Sequence, residues 1–267
     1  MFQEVLFLVL FPQFLEKKTI LEIHHNLTGL TKILFYVLKF LGLINNLKYI
    51  FIHKNLLEIF KVRKNDYICL DDAVNINDFK NFKKSKKLKK TCVYVGSFHP
   101  GKGIELIQKI SKKLPNISFH LYGDKKFLNN YNPQKNIKIF GHIKYKNIPK
   151  ILSNYTIALM PYGNFISGRI TKVNLANYIS PLKMFDYLAS PNIILASNLD
   201  VYKHILKHKK NSVLIKNSNI KLWCEWINKI FRSSKKYEYI KKNAFFTAKN
   251  YTWHKRAKKI IKFSDSF

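Results

Sequence analysis

Strands and helices alternate regularly from Thr91 onward, and this alternation constrains the fold more than any other feature of the chain. Apolar runs such as TCVYV and TIALM are typical of buried strands, and GIELIQKISKKL between them has helical periodicity. Four apolar residues share one face of that helix: Ile104, Ile107, Ile110 and Leu114. Strands joined by helical crossovers form parallel sheets. The sequence therefore predicts an α/β fold with a parallel sheet.

The stretch from Ser180 to Ser197, SPLKMFDYLASPNIILAS, reads as a helix followed by a buried strand. Its beginning offers unpaired N–H groups to an anion, and Lys183 and Asp186 lie in the first turns. On the pattern alone, an ordinary helix–strand unit is the preferred interpretation. Five apolar side chains are expected to face the core: Leu182, Met184, Phe185, Tyr187 and Leu188.

A glycine-rich turn, YVGSFHPGKGIE, connects a predicted strand to a predicted helix. Its glycines allow the backbone to approach an anion, and Lys102 adds a positive charge. The spacing matches neither a P-loop nor a dinucleotide fingerprint. Taken alone, this segment is interpreted first as a tight turn without a ligand. Asp124, after the next strand, suits a ligand site and a helix cap equally well.

The net charge of +33 favours an anionic partner of some kind. Lysine is spread along the whole chain, however, which is also typical of a general composition bias. No recognition helix or alternation of basic and aromatic residues indicates nucleic-acid binding. Nucleic acid is therefore not an expected partner.

Cysteine spacing and hydrophobic segments indicate a cytoplasmic protein. Cys69, Cys92 and Cys224 lack metal-ligand or redox spacing. The apolar run 5–11 is too short to span a bilayer and reads as a strand. For the apolar segment 31–43 a core helix is the first interpretation and a membrane-surface helix the alternative.

Several motifs, taken in their order along the chain, resemble those of one enzyme family. They are YVGSFHPGKGIELI, FHLYGD, IFGHI, IALMPYG, SPLKMFDYLASPNIILAS and YTWHKRAKKI. The chain resembles the group-one, glycogen-synthase-like retaining glycosyltransferases of GT-B fold. The resemblance implies one complete Rossmann-like C-terminal domain at 91–249 and a partial N-terminal α/β domain, on the acceptor side, at 1–80. The lysine-rich stretch 80–90 would link them, and 250–267 would form a helix that crosses back to the N-terminal part.

The resemblance also implies a metal-independent hexosyltransferase that uses a UDP- or GDP-linked sugar donor and no other cofactor. It places Lys102 at the donor diphosphate, Asp186 at the donor ribose and His24 near the donor sugar as the catalytic set. Phe140 and Gly141 would border the nucleobase. The remaining substrate-binding residues that it implies are Gly96, Ser97, Gly103, Ser180, Pro181, Leu182 and Lys183.

Four departures from the family pattern bear on activity. Ser97 stands where the family often has arginine, Tyr178 replaces the first of two paired glutamates, and Asp186 replaces the second. The N-terminal half is also short. From the resemblance we expect transfer of a sugar to a glycan or lipid-linked acceptor with retained configuration. The departures motivate the alternative, which is a non-catalytic donor-binding remnant or a half-enzyme completed by an N-terminal fragment on another chain.

Two further expectations follow from the resemblance and the charge. The last helix should pack on the N-terminal part through a stripe of Trp253, Ala257, Ile260 and Ile261. A lipid-linked acceptor together with the positive charge would place the protein at the inner face of the membrane, where it would bind anionic vesicles.

Overall fold

The computed structural model describes residues 19–80, 88–128, 131–167 and 174–266. The expected strand at 5–11 and residues 81–87 of the lysine-rich stretch lie outside the described residues. The chain divides into two compact units. The first contains residues 19–72, Asn177–Ser180 and 254–266, and the second contains Ala73–Ala176 and Pro181–Trp253.

The first unit is built on a three-stranded parallel sheet with the order β1-β2-β3. Its strands are β1 (Ile20–Ile23), β2 (Lys48–Phe51) and β3 (Tyr67–Cys69). Its helices are α1 (Gly29–Phe40), α2 (Leu57–Phe60) and the part of the last helix from residue 254 onward. Helix α1 buries Phe35 and Leu38 but leaves Leu30, Ile33 and Phe40 exposed. The segment is thus a helix with one face in the core and a second apolar face in solvent.

The second unit contains a six-stranded parallel sheet with the order β6-β5-β4-β7-β8-β9. Its strands are β4 (Thr91–Val95), β5 (Ser118–Tyr122), β6 (Ile137–Phe140), β7 (Ile157–Met160), β8 (Ile193–Ser197) and β9 (Val213–Ile215). Its helices are α3 (Asn77–Lys80), α4 (Ile104–Lys113), α5 (Ile148–Leu152), α6 (Leu182–Ala189), α7 (Ile220–Arg232) and α8 (Glu238–Ala248). The α/β prediction with a parallel sheet is confirmed.

One hydrophobic cluster holds this sheet to its helices. The predicted face of α4 is buried in it, with Ile107 and Ile110 fully covered, and α7 adds Trp223 and Ile227. Strands β4, β7 and β8 are buried along their whole length, which explains their unbroken apolar sequences. Among the described residues, no helix combines the length and apolar character that a bilayer crossing requires.

The last helix, α9 (Trp253–Ser264), packs differently from the expected stripe. Phe263 is buried against Ile50 and Leu70 of the first unit, and Ile260 is partly buried in the same cluster. The prediction of the buried stripe was wrong, because only Ile260 of its four residues is even partly buried. Trp253 is 41% exposed and Ile261 is 60% exposed, and Ala257 is exposed as well.

The order of the six strands reverses direction between β4 and β7. These two strands pair over only Cys92–Ile157 and Val93–Ala158 and then diverge. Open α/β sheets bind ligands at the carboxyl ends of the strands beside such a reversal. The glycine-rich turn begins at the end of β4, so the topology places it at this position.

Candidate functional site

A cavity of about 490 Å³ opens at the carboxyl ends of β4 and β5. Its lining comes from the glycine-rich turn, the end of β5 and the segment after β6. The residues that matter for its chemistry are Gly96, Ser97, His99, Lys102, Tyr122 and His142. The structure thus brings three of the predicted site residues, Gly96, Ser97 and Lys102, to one cavity.

The glycines of the turn are required by close backbone contacts. A Cβ on Gly101 would lie 1.8 Å from the carbonyl oxygen of Phe165, and one on Gly103 would lie 2.0 Å from that of Pro161. Both glycines also have positive φ, +79° and +92°. The turn therefore packs directly on the loop that follows β7, and a side chain at either position would push the two apart.

Lys102 points into a desolvated environment at the start of α4. The residue is 9% exposed, and its Nζ lies 5.0 Å from the ring centroid of Tyr162. Burial disfavours the charged form and lowers the lysine pKa to about 8. A cation held in this way gains strongly from an anion that enters the cavity, because little water competes for it.

Helix α6 carries three polar side chains toward the protein interior. Asp186 is 5% exposed and accepts a hydrogen bond from Tyr145 Oη at 3.1 Å, while burial raises its pKa to about 7. Lys183 Nζ lies 3.6 Å from the ring centroid of Tyr94. Tyr187 Oη accepts a hydrogen bond from the Val95 backbone N–H at 2.8 Å.

The apolar face predicted for α6 is confirmed with one exception. Met184, Phe185, Tyr187 and Leu188 are buried, but Leu182 is 52% exposed. Leu182 is the first residue of the helix, and at a helix end the apolar spacing does not reliably predict which side chains are buried. Pro181 is buried and precedes the helix.

The end of β6 borders the cavity through an aromatic pair. The Phe140 ring stacks on Tyr122 with centroids 4.5 Å apart, and Tyr122 lines the cavity. Nothing lies within 4 Å of where a Gly141 side chain would begin, so this position is open. Asp124 both lines the cavity and accepts a hydrogen bond from the Lys126 backbone N–H at 3.2 Å. Its capping role is confirmed.

His24 belongs to a different charge cluster, in the first unit. Its Nε2 lies 2.8 Å from Glu22 Oε1, and Arg256 binds both carboxylate oxygens of Glu22 at 2.6 and 3.3 Å. Hydrogen bonding to Glu22 raises the pKa of His24, and the same bond lowers the pKa of Glu22 to about 2. Ser180 is in this unit too, and its Oγ accepts a hydrogen bond from the Asp72 backbone N–H at 2.9 Å. Burial raises the pKa of Asp72 to about 6.

The sequence analysis missed part of the cavity lining. His99, Tyr122 and His142 were not predicted, although Tyr122 ends a strand of a parallel sheet and the two histidines lie within four residues after one, which is a usable signal. Conversely, Gly103, Phe140, Gly141, Pro181, Leu182, Lys183 and Asp186 lie outside the cavity lining. In the part of the chain that the structure describes, no group of three or more His, Cys, Asp or Glu side chains is arranged to hold a metal ion.

Comparison with solved structures shows what this fold is similar to. S. aureus TarM superposes with a TM-score of 0.67 at 17% identity over 92% of this chain and 50% of TarM. A glycosyltransferase from Rickettsia africae gives 0.71 at 14% identity over 92% of this chain and 69% of its own. Anabaena Alr3699/HepE, in complex with UDP and glucose, gives 0.75 at 12% identity over 100% of this chain and 76% of its own. The chain thus spans half the length of TarM.

These likenesses confirm the expected α/β fold of GT-B type with a Rossmann-like domain. Comparison with curated proteins finds no significant sequence match. The sequence profile of one family, described as "Glycosyl transferases group 1", matches residues 75–246, which is more than half of the chain.

Proposed function

Since the chain belongs to the glycosyl transferase group 1 family, we propose that it transfers a sugar from a UDP- or GDP-linked donor to a glycan or lipid-linked acceptor, with retained configuration. The observation that carries the proposal is Lys102, a desolvated lysine held beside a glycine turn in the cavity. Such a site suits a diphosphate, because backbone N–H groups and an ammonium can both approach its oxygens.

Sugar transfer breaks the bond between the sugar and the diphosphate, and negative charge develops on the departing diphosphate. Lys102 and the beginning of α6 would stabilise this charge without a metal ion. The residues around the diphosphate would be Gly96, Ser97, Gly103, Pro181, Leu182 and Lys183. Because a site that is already formed need not reorganise during the reaction, its electrostatic effect is largest in the transition state.

The nucleoside would lie between Asp186 and the aromatic pair. The buried Asp186 carboxyl would accept hydrogen bonds from the ribose hydroxyls. Phe140 and Gly141 would border the base, with Gly141 leaving open space. For His24 a role at the donor sugar stays a prediction from the family resemblance.

Calorimetry with UDP, GDP and ADP tests the donor site. Lys102→Ala should weaken binding by about 10- to 150-fold, because it removes a charge-assisted interaction. Asp186→Ala should weaken binding less, since it leaves the phosphate contacts intact. Lys112→Ala, at an exposed position of α4, is the matched control and should bind like the wild type. Equal affinity of the Lys102→Ala variant and the wild type would overturn the site assignment.

The alternative is a donor-binding half-enzyme that needs an N-terminal fragment on a second chain. It is favoured by the departures from the family pattern at Ser97, Tyr178 and Asp186. This chain spans 50% of TarM and 76% of Alr3699/HepE. A turnover assay with a UDP-sugar separates the two. Donor hydrolysis or transfer by the chain alone supports the enzyme, whereas nucleotide binding without any turnover supports the half-enzyme.

Contact with the inner face of the membrane would follow from a lipid-linked acceptor and the charge of +33. Flotation with anionic and neutral vesicles tests this. We expect binding to the anionic vesicles at low salt and its loss at high salt. Absence of binding to anionic vesicles at low salt would remove the membrane from the proposal.

A further inference from the structure

Lys183 is a half-buried lysine whose amine nitrogen is buried and has no hydrogen-bond partner among the described residues. Its Nζ is inaccessible to solvent and, among the described residues, accepts or donates no hydrogen bond. Its neighbours are aromatic: the centroid of Tyr94 lies 3.6 Å away and that of Tyr162 lies 5.2 Å away. An ammonium in such surroundings has lost its water and forms no hydrogen bond, which is a costly state in a folded protein.

The Lys183 side chain ends directly beneath the glycine turn. A Cβ on Gly96 would lie 2.3 Å from Lys183 Nζ and 2.6 Å from Cε. The amine therefore occupies the space that a side chain at position 96 would need. Gly96 itself lines the cavity, so the amine lies next to a residue of the proposed diphosphate site.

A second lysine approaches the same ring from the cavity. Lys102 Nζ lies 5.0 Å from the centroid of Tyr162, compared with 5.2 Å for Lys183. Two lysine side chains thus converge on one tyrosine, and the charge of Lys102 adds to burial in disfavouring the charged form of Lys183. When both amines carry a proton, they fit two adjacent phosphate groups.

We propose that Lys183 is a second phosphate-binding cation, which is stored under Gly96 and takes up a proton from solvent when a nucleoside diphosphate binds. This inference rests on the proposed donor site and assigns Lys183 the task of distinguishing a diphosphate from a monophosphate. Lys102 binds one phosphate group and Lys183 the other. The single proton converts the neutral amine into an ammonium, and no covalent bond changes.

The groups that face Lys183 favour a neutral amine before the ligand arrives. Burial and the charge of Lys102 lower the pKa of Lys183, while Asp186, one turn further along α6, raises it. Tyr94 and Tyr162 contribute no charge near neutral pH, because burial raises the pKa of both phenols. A bound diphosphate reverses this balance, since its negative charge favours the ammonium.

The first test compares UDP with UMP. Lys183→Met should weaken UDP binding by about 10- to 100-fold and UMP binding by less than about threefold. The exposed-lysine control, Lys112→Met, should change neither affinity. The ligand-free Lys183→Met variant should unfold at the same temperature as the wild type or higher, because it removes an unpaired buried amine. A buried lysine with only a structural role would lower that temperature instead.

The second test needs no variant. Calorimetry of UDP binding at pH 7, in buffers with different ionisation enthalpies, should show uptake of up to about one proton by the wild type. UMP binding should show markedly less. The Lys183→Met variant should lose most of the UDP-linked uptake.

The outcomes separate this inference from the proposed function. Failure of the wild type to bind UDP would overturn the donor site itself. If the wild type binds UDP but takes up no proton, or if Lys183→Met keeps the full preference for UDP over UMP, the role of Lys183 is overturned and the donor site stands.

Discussion

The two units each contain a cluster of positive charge, and the clusters differ in whether the charge is paired. In the first unit, Arg256 binds both oxygens of Glu22 and donates to the Asp71 carbonyl oxygen at 3.1 Å. In the second unit, Lys183 Nζ and Lys102 Nζ lie over tyrosine rings, and Lys183 has no hydrogen-bond partner among the described residues.

The two clusters act on stability in opposite ways. The arginine cluster is satisfied in the ligand-free protein, so it contributes to stability. In the lysine cluster two amines are buried and Lys183 Nζ forms no hydrogen bond with the described residues, so the cluster costs stability until an anion enters. A protein retains such a cost where binding or catalysis requires it. We therefore expect opposite responses when the two clusters are perturbed.

The largest effect is expected from the paired cluster. Arg256→Met should lower the free energy of unfolding by about 2–4 kcal/mol, because the arginine side chain is only 9% exposed and its loss removes the hydrogen bonds to Glu22 and to the Asp71 carbonyl oxygen. Arg63→Met is the control, since Arg63 pairs with Asp66 but is 75% exposed, and its loss should cost under about 1 kcal/mol. Urea unfolding measures both. Equal losses of unfolding free energy in the two variants would contradict the larger stabilising role assigned to Arg256.

The next largest effect is expected in the pH dependence of UDP binding at the lysine cluster. The pKa of Lys102 is lowered to about 8, so above that pH the site must take up a proton before it binds an anion. If binding requires one proton, the affinity for UDP should therefore fall by up to about tenfold for each pH unit above 8, and each further proton adds the same factor. Lys102→Arg keeps its charge in this range and should show a shallower decline. Calorimetry from about pH 7.5 to 9.5 measures the slopes, and a flat wild-type profile would contradict the prediction.

The smallest effect is the acid response of the paired cluster. The pKa of Glu22 is lowered from 4.5 to about 2, so its contribution to stability is complete above pH 4.5 and is lost as the pH falls toward 2. Glu22 is partly exposed, so we expect a contribution of about 1 kcal/mol after allowing for solvent screening. Glu22→Gln should be less stable than the wild type near neutral pH, and the two should converge in acid. Thermal unfolding across that range measures the difference, and a constant difference would contradict the prediction.

Local patterns predicted the second unit well. The face of α4 and the buried strands follow from apolar spacing over a few residues, and the structure agrees with both. Lys102 was placed at the site through the family resemblance, because the glycine turn taken alone favours a tight turn without a ligand.

Features that depend on distant contacts were not predictable. Glu22 and Arg256 are separated by more than 230 residues, and no local pattern connects them. Helix α9 has apolar residues on more than one face, so periodicity could not show that Phe263 rather than Trp253 would be buried. Lys183 reads as a solvent-exposed residue of a first helical turn. Its burial depends on Gly96 and Tyr94, which come from another strand and turn.

The hydrogen bond between Tyr187 and Val95 has a consequence for the rate of ligand binding. Strands β4 and β7 have already separated at Val95, and the tyrosine hydroxyl takes the place of the missing backbone partner. The helix that carries Lys183 and Asp186 is thereby fastened to the strand end where the glycine turn starts. A nucleotide would meet a backbone that is already ordered, so little entropy would be lost in ordering it. Association should then follow a single kinetic phase limited by encounter, with no slow step for closure of this unit.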